Sequence, residues 1–227
     1  SVTAAALNTL DGKTTAAINA SSINTFSGAA ADLNTAYASS GITGLGNETV
    51  TINDTSLDAA VLNTLNGHTS GAIDASSIDG LAGTSGSVIN AYASSGITGL
   101  GNEAVSISGA VTVAQANTIA AFTSGVVTAT LSDGDMATLA GLTETGNAYS
   151  ITITDNSVAA SALNTLDGKT STAINASNIN TLTGAAADLN SAYTANANGS
   201  ISGLGNEAVP LSDSSLAVSV LNTLNDN

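Results

Sequence analysis

Two rhythms of apolar positions alternate along this chain. In the stretch from Thr49 to Asp74, TVTINDTSLDAAVLNTLNGHTSGAID, Val50-Thr51-Ile52 is a β-branched run that suits a pleated surface. Asn53, Asp54, Thr55 and Ser56 follow, all residues that can accept a bond from the free N–H groups opening a helix. Leu57, Ala60, Val61 and Leu65 then fall on one helical face. Gly67 stands where a left-handed residue would stop that helix, and Ala72-Ile73 begins another strand. A helix of about three turns or fewer is marginal by itself, so packing must hold it.

Variants of this frame fill the sequence. Leu7–Leu10, Leu62–Leu65, Leu163–Leu166 and Leu221–Leu224 all read Leu-Asn-Thr-Leu, and looser copies include Leu33-Asn34-Thr35, Ile89-Asn90-Ala91, Ala116-Asn117-Thr118, Met136-Ala137-Thr138 and Leu189-Asn190-Ser191. The mean spacing is about 27 residues, within the range that marks solenoids, propellers and arrays. One strand and one helix per period imply parallel strands joined by right-handed crossovers. The expected fold is therefore an α/β solenoid, with about eight short parallel strands on one wall and short helices on the other. Strands are expected at Ala17–Asn19, Val50–Ile52, Ala72–Asp74, Val105–Ile107, Val127–Ala129, Ser150–Thr152, Ala173–Asn175 and Val209–Leu211.

The whole of 1–227 reads as a single elongated repeat domain, with double periods at about 1–54, 56–108 and 157–213. The first and last of these are near copies. The middle, 109–156, departs from them: it lacks the Gly-Leu-Gly-Asn-Glu loop and carries Ser132-Asp133-Gly134-Asp135. A change of coil shape is expected there, not a domain boundary. Because the repeat frame is open at both ends, we expect a segment of a longer array.

Composition narrows the function. The net charge is −15, with two basic residues against 17 acidic ones, so neutralising nucleic-acid phosphates is excluded as a role. No stretch approaches the roughly 20 apolar residues of a membrane span, and no membrane insertion is expected. The absence of cysteine removes disulfides, thiolate nucleophiles and Cys-based metal sites. Lyase-like catalysis needs Arg, Lys or His beside acids; Lys13, Lys169 and His68 are all that the chain offers, and no enzyme is expected.

Several side-chain sets remain as candidates. Asn8, Asn34, Asn63, Asn90, Asn117, Asn164, Asn190 and Asn222 recur at one place in the frame. Asn is a poor residue for a helix interior. Its amide both donates and accepts, so a ladder fixing register between neighbouring coils is the expected role. The acids Asp54, Asp133, Asp155 and Asp213 lie at similar points in their periods and read as helix caps, or as a column that could share Ca²⁺. Asp133 and Asp135, flanking a glycine, are the best candidate metal ligands; no cofactor is required, and Ca²⁺ is the candidate ion. The loop Gly44–Glu48 recurs as Gly99–Glu103 and Gly203–Glu207, either as a tight connection or as a turn offering a carboxylate to calcium. Tyr37, Tyr92 and Tyr193 recur after alanine, for packing or for stacking against carbohydrate.

The strings LNTLDGKT, AADLNTAYASSGITGLGNE and VTINDTS resemble the tandem repeats of giant secreted and cell-surface proteins of cyanobacteria and other aquatic bacteria, often described as haemolysin-type calcium-binding or adhesin-like. The resemblance covers essentially the whole chain. It implies surface display, filament or surface-layer formation and calcium dependence. The expectation is thus a structural module of a bacterial extracellular surface protein, associating with itself or with neighbouring repeats. The rival expectation is an adhesin module that binds glycan or a partner surface.

Overall fold

The computed structural model describes residues 1–226, and the chain divides into two compact units. The first comprises Ser1–Ser108 with Phe122–Gly125; the second comprises Gly109–Ala121 with the chain from Val126 onward. The division falls where the sequence begins to depart from its repeat. No helix among the described residues is long and apolar enough to cross a membrane.

In chain order the first unit holds β1 (Val2–Thr3), α1 (Ala4–Asp11), β2 (Ile18–Asn19), β3 (Thr25–Gly28), α2 (Ala30–Ala38), β4 (Ile42–Thr43), β5 (Thr49–Ile52) and β6 (Ser56–Asp58). It continues with α3 (Ala59–Asn66), β7 (Ile73–Asp74), β8 (Gly80–Thr84), α4 (Ser85–Ala93), β9 (Ile97–Thr98) and the first part of β10 (Ala104–Val111), which pairs with β8 over Ala104–Ser108 and whose last three residues belong to the second unit. The second unit holds α5 (Val113–Ala120), β11 (Val127–Leu131), α6 (Met136–Leu139), β12 (Ala148–Ser150), β13 (Ser157–Ala159) and α7 (Ala160–Asp167). After these come β14 (Ile174–Asn175), β15 (Thr181–Thr183), α8 (Ala186–Asn198), β16 (Ile201–Ser202) and α9 (Val218–Asn225).

Strands and helices alternate, and the strand pairs are parallel. In the first unit β1, β3, β5, β7 and β9 form one sheet in sequence order. Val2, Phe26, Val50, Ile73 and Ile97 stand side by side across it, so the same apolar position of successive periods forms one row. Phe26, Val50 and Ile73 in that row are buried. The described residues contain sixteen strands, where the sequence suggested about eight, spread over several sheets instead of one wall. The additional strands, such as β3 (TFSG) and β8 (GLAGT), are rich in Gly, Ser and Ala and lack a β-branched run, so propensity alone does not reveal them.

The helix starts differ in place from the sequence reading: Asn53–Ser56 do not cap α3, Ser56–Asp58 are strand β6, and the helix opens at Ala59. Thr3, Asp58 and Thr84 cap α1, α3 and α4 by accepting from Ala6, Ala60 and Ser87 N–H. Thr112 and Gln115 make a reciprocal capping box on α5. The ends differ from expectation: Gly67 sits at φ −74°, in the right-handed region, and its N–H bonds back to Asn63 and Thr64 carbonyls. The helix is closed by a tightened last turn, not by a left-handed residue. Gly12 and Gly168 behave alike, at φ −69° and −68°.

The core is built from small side chains because the layers lie close. Ala4, Ala59 and Ala160 open their helices fully buried. A β-carbon placed on Gly28, Gly83 or Gly184 would stand 3.2, 3.5 or 3.5 Å from the Cβ of those alanines. Leu33, Leu62, Leu163 and Leu189 supply the larger buried surface. Each buried leucine contributes about 1.5–3 kcal/mol relative to an exposed one. Thr9, Thr64 and Thr165 sit outside, with each hydroxyl donating to the carbonyl four residues back.

Candidate functional site

The Gly-Leu-Gly-Asn-Glu loops face inward. Glu48, Glu103 and Glu207 are 1%, 1% and 9% exposed, so they present no carboxylate to solvent. Their first glycines, Gly44, Gly99 and Gly203, have φ of +86°, +88° and +90°, which L side chains rarely adopt. A β-carbon on Gly99 would also lie 2.7 Å from Ser76 N. The second half of each loop wraps the carboxylate. Gly46 and Asn47 N–H donate to Glu48 at 3.0–3.1 Å, Gly101 and Asn102 to Glu103 at 2.8 and 3.2 Å, and Gly205 and Asn206 to Glu207 at 2.9 and 3.0 Å.

A tyrosine hydroxyl completes each cluster. Tyr37 donates to Glu48, Tyr92 to Glu103, and Tyr193 to Glu207, the last at 2.5 Å. Burial raises the three phenols well above their ordinary range, and the hydrogen bond and charge of the facing carboxylate push the same way. Burial also works to raise Glu48 and Glu207, but the tyrosine and backbone donors outweigh it and hold both below the usual carboxylate value. Tyr149 is the exception: its buried hydroxyl has no hydrogen-bond partner, and burial with the nearby Glu144 charge pushes it up to about 12.

The tyrosine rings are engaged as well. His68 stacks on Tyr37 with centroids 5.4 Å apart, and Phe122 stacks on Tyr92 at 5.0 Å. His68 therefore occupies a place that a phenylalanine fills in another period, and serves as a flat ring. Along the sequence the tyrosine and the loop stand as separate recurring features. Their constant separation, 11 residues for Tyr37–Glu48 and for Tyr92–Glu103, was the signal available. It stretches to 14 in Tyr193–Glu207, where α8 runs on to Asn198.

The asparagine column reaches between periods. Asn8, Asn63 and Asn164 donate from Nδ2 to Asp32, Ser87 and Asp188 carbonyls at 2.9, 2.8 and 2.9 Å, each 24 residues ahead. Asn34 donates to Val61 O at 3.3 Å. Asn117 donates to Gly141 O at 2.8 Å and accepts from Thr143 N at 3.1 Å. Asn90 is an exposed residue of α4, Asn190 lies on α8, and Asn222 is an exposed residue of α9.

The acids at strand ends do cap helices, but those of the preceding period. Asp54 accepts from Ala30 N at 2.7 Å, Asp133 from Val113 N at 2.7 Å, Asp155 from Met136 N at 2.6 Å and Asp213 from Ala186 N at 2.7 Å. The capped helices α2 and α8 begin with alanine at the capping position and have no side-chain cap of their own. Asp133 and Asp135 serve different helices. Asp133 reaches α5, while Asp135 accepts from Thr138 N at 2.9 Å in α6 and is held below the ordinary carboxylate value by Thr138's backbone and hydroxyl. Among the described residues no three His, Asp or Glu side chains converge as a metal ion would require.

The sequence matches no protein-family model and no curated protein, and no solved structure matches the fold.

Replacing Tyr92 with Phe leaves the buried Glu103 carboxylate short of a donor, at an expected cost of about 1–3 kcal/mol. Replacing Glu103 with Gln as well should cost less than the two single changes added together, because they share one interaction. Additive losses in chemical denaturation would show that the pair is not coupled.

A pH dependence follows from the same clusters. Glu48 and Glu207 hold protons less readily in the folded chain than in the unfolded one, whose carboxyl value is about 4.3. Their stabilisation is present above that value and falls as pH drops through the lower folded value, because the unfolded chain binds more protons there. The raised phenols act in the opposite direction: their contribution is intact below about 10 and falls as pH rises beyond it. The denaturant midpoint should thus form a plateau with an acid and an alkaline shoulder. In Tyr37→Phe/Tyr92→Phe/Tyr193→Phe the alkaline shoulder should shrink; an unchanged shoulder would contradict the assignment.

Proposed function

We propose that this chain is an α/β solenoid of right-handed coils of about 27 residues, serving as a structural repeat module of a bacterial extracellular surface protein. In this reading its work is mechanical: coils stack and build a filament, stalk or surface layer through contacts with neighbouring repeats. The observation that carries the reading is the recurrence of polar bonds from one period to the next. Asn8, Asn63 and Asn164 each donate 24 residues ahead, and Asp54, Asp133 and Asp155 each accept from a helix 19 to 24 residues behind. The same frame is reused for joining period to period. The rings that a glycan would stack on are instead covered in part by His68 and Phe122.

Two measurements test this. Removal of residues 56–108 should leave a chain that still unfolds cooperatively, because a solenoid repeat contacts only its neighbours. Collapse to an unfolded polypeptide would refute the stacked architecture. Antibodies against the chain should decorate filaments or a lattice on the surface of the source cells, with and without a calcium chelator; label confined to the cell interior would refute the surface role.

A further inference from the structure

Helices α6 and α7 of the second unit repeat the pairing of α2 and α3 in the first, and bonds at fixed points align the two pairs. Asp155 accepts from Met136 N as Asp54 accepts from Ala30 N. Lys169 N bonds back to Leu166 O as His68 N bonds to Leu65 O. Thr170 Oγ donates to Tyr149 O as Thr69 Oγ donates to Glu48 O. Counting from these points, Leu139 stands for Leu33, Ala140 for Asn34 and Thr143 for Tyr37. Across the seam Ala162 stands for Val61, and Lys169 for His68.

The α2–α3 seam is closed twice. Asn34 donates across it to Val61 O at 3.3 Å, and the Tyr37 ring stacks on His68. The α6–α7 seam lacks both closures. Ala140 has no amide, and α6 stops at Leu139 after one turn, so no ring follows on the next. Between the two helices lies a groove of about 260 Å³. The buried Leu139 and Leu166 line it together with Met136, and Lys169 is its one charged side chain. The Lys169 ammonium donates to Thr143 O at 3.0 Å, a neutral partner. The acid of the tyrosine cluster is absent here too, because Tyr149 stands in the place of Glu48.

We propose that this groove binds a small aromatic carboxylate. The ring lies on the two leucines, in the place that the Asn34 amide and the Tyr37 ring fill in the first unit. The carboxylate accepts from the Lys169 ammonium, and the apolar stem of the lysine covers the ring as His68 covers Tyr37. An apolar lining with one polar group that fixes orientation is the usual make-up of a small-molecule site. The volume suits a ligand of this size: a cavity of about 150 Å³ lined by aliphatic side chains holds benzene, so this groove has room for one ring and a short substituent. The site is independent of the mechanical role proposed above, and the failure of either leaves the other unaffected.

Met136 is the only methionine, so the intact chain labelled with ¹³C at the methionine methyl gives one resonance that reports on the groove. Phenylacetate, titrated in about 0.1 M salt to limit long-range repulsion, should shift that resonance saturably, with a Kd of about 1 mM or tighter. Phenylacetamide has the same shape without the charge and should bind about 3- to 5-fold more weakly, as should phenylacetate to Lys169→Gln. Ala140→Asn/Ala162→Val installs the residues of the closed α2–α3 seam and should abolish the saturable shift. Lys13→Gln, at an exposed lysine outside the groove, should leave binding unchanged. Circular dichroism confirms that each variant is folded. The site is overturned if the Met136 resonance does not respond, if phenylacetamide binds as tightly as phenylacetate, or if Lys13→Gln weakens binding as much as Lys169→Gln. Undiminished binding to Lys169→Gln or to the closed-seam variant would overturn it equally.

Discussion

A period of roughly 27 residues cannot enclose a core of its own, and this scarcity of interior shapes the rest of the molecule. Most of the helices have about two turns, and the buried face is a few small or aliphatic side chains, as in Ala59, Leu62 and Leu65 of α3. Such a helix is stable only when the next layer lies directly on it. That demand explains the alanines that open α1, α3 and α7 and the glycines that face them, where a β-carbon would stand only 3.2–3.5 Å from the alanine Cβ. A larger side chain at either place would hold the layers apart and leave the leucines uncovered.

Close layers also bring backbone groups out of water, and every one of them needs a partner. The parallel ladders satisfy many. The remaining ones fall at layer boundaries, where helix ends and loops meet, and there Asn and Asp side chains meet them. Asn8 and Asn63 bring a second donor to first-turn carbonyls of the next helix, while Asp54 and Asp213 satisfy first N–H groups of an earlier one. Aspartate suits the second task because a carboxylate at a helix N-terminus gains from the helix dipole as well as from the hydrogen bond. The acidic residues are thus partly structural. Glu48, Glu103 and Glu207 are buried inside loops, with backbone N–H groups and a tyrosine in place of water.

What could be read from the chain in advance follows from how local each signal is. The Leu-Asn-Thr-Leu helices and the Val50–Ile52 strand carry their periodicity within a few residues, and the structure has them as α3 and β5. The parallel pairing followed from alternation of strand and helix. The second strand of each period was missed because β3 and β8 owe their conformation to neighbouring strands, not to their own composition. Asp54 reads in sequence as a cap for the helix that follows it, and it caps the helix of the preceding period. A cap is ordinarily sought within three residues of its target, and Asp54 lies 24 residues from Ala30. Tyr37 and Glu48 looked like separate recurring features because neither has a meaning without the fold that brings them together.

Two kinds of layer boundary result, and they divide the labour. In α1 and α3 an alanine lies beneath a glycine, the helix carries its own cap, Thr3 or Asp58, and the following strand lies close; α7 has the same alanine and glycine without a side-chain cap. Where the following strand ends in aspartate, the helix receives a cap from outside: α2 and α8, which have none of their own, receive Asp54 and Asp213, and α6 receives Asp155 beside its own Asp135. The buried residue two positions before the aspartate is then large, as with Ile52 and Ile153. The first boundary is held by approach and the second by charge. A helix that relies on the next period for its cap is not complete until that period has folded. Folding of one layer is thereby tied to folding of its neighbour through a directed bond as well as through shared apolar area. In a chain with 43% hydrophobic residues but only 3% aromatic ones, area alone is a weak tie between layers, and the directed bonds are what fix which layer follows which.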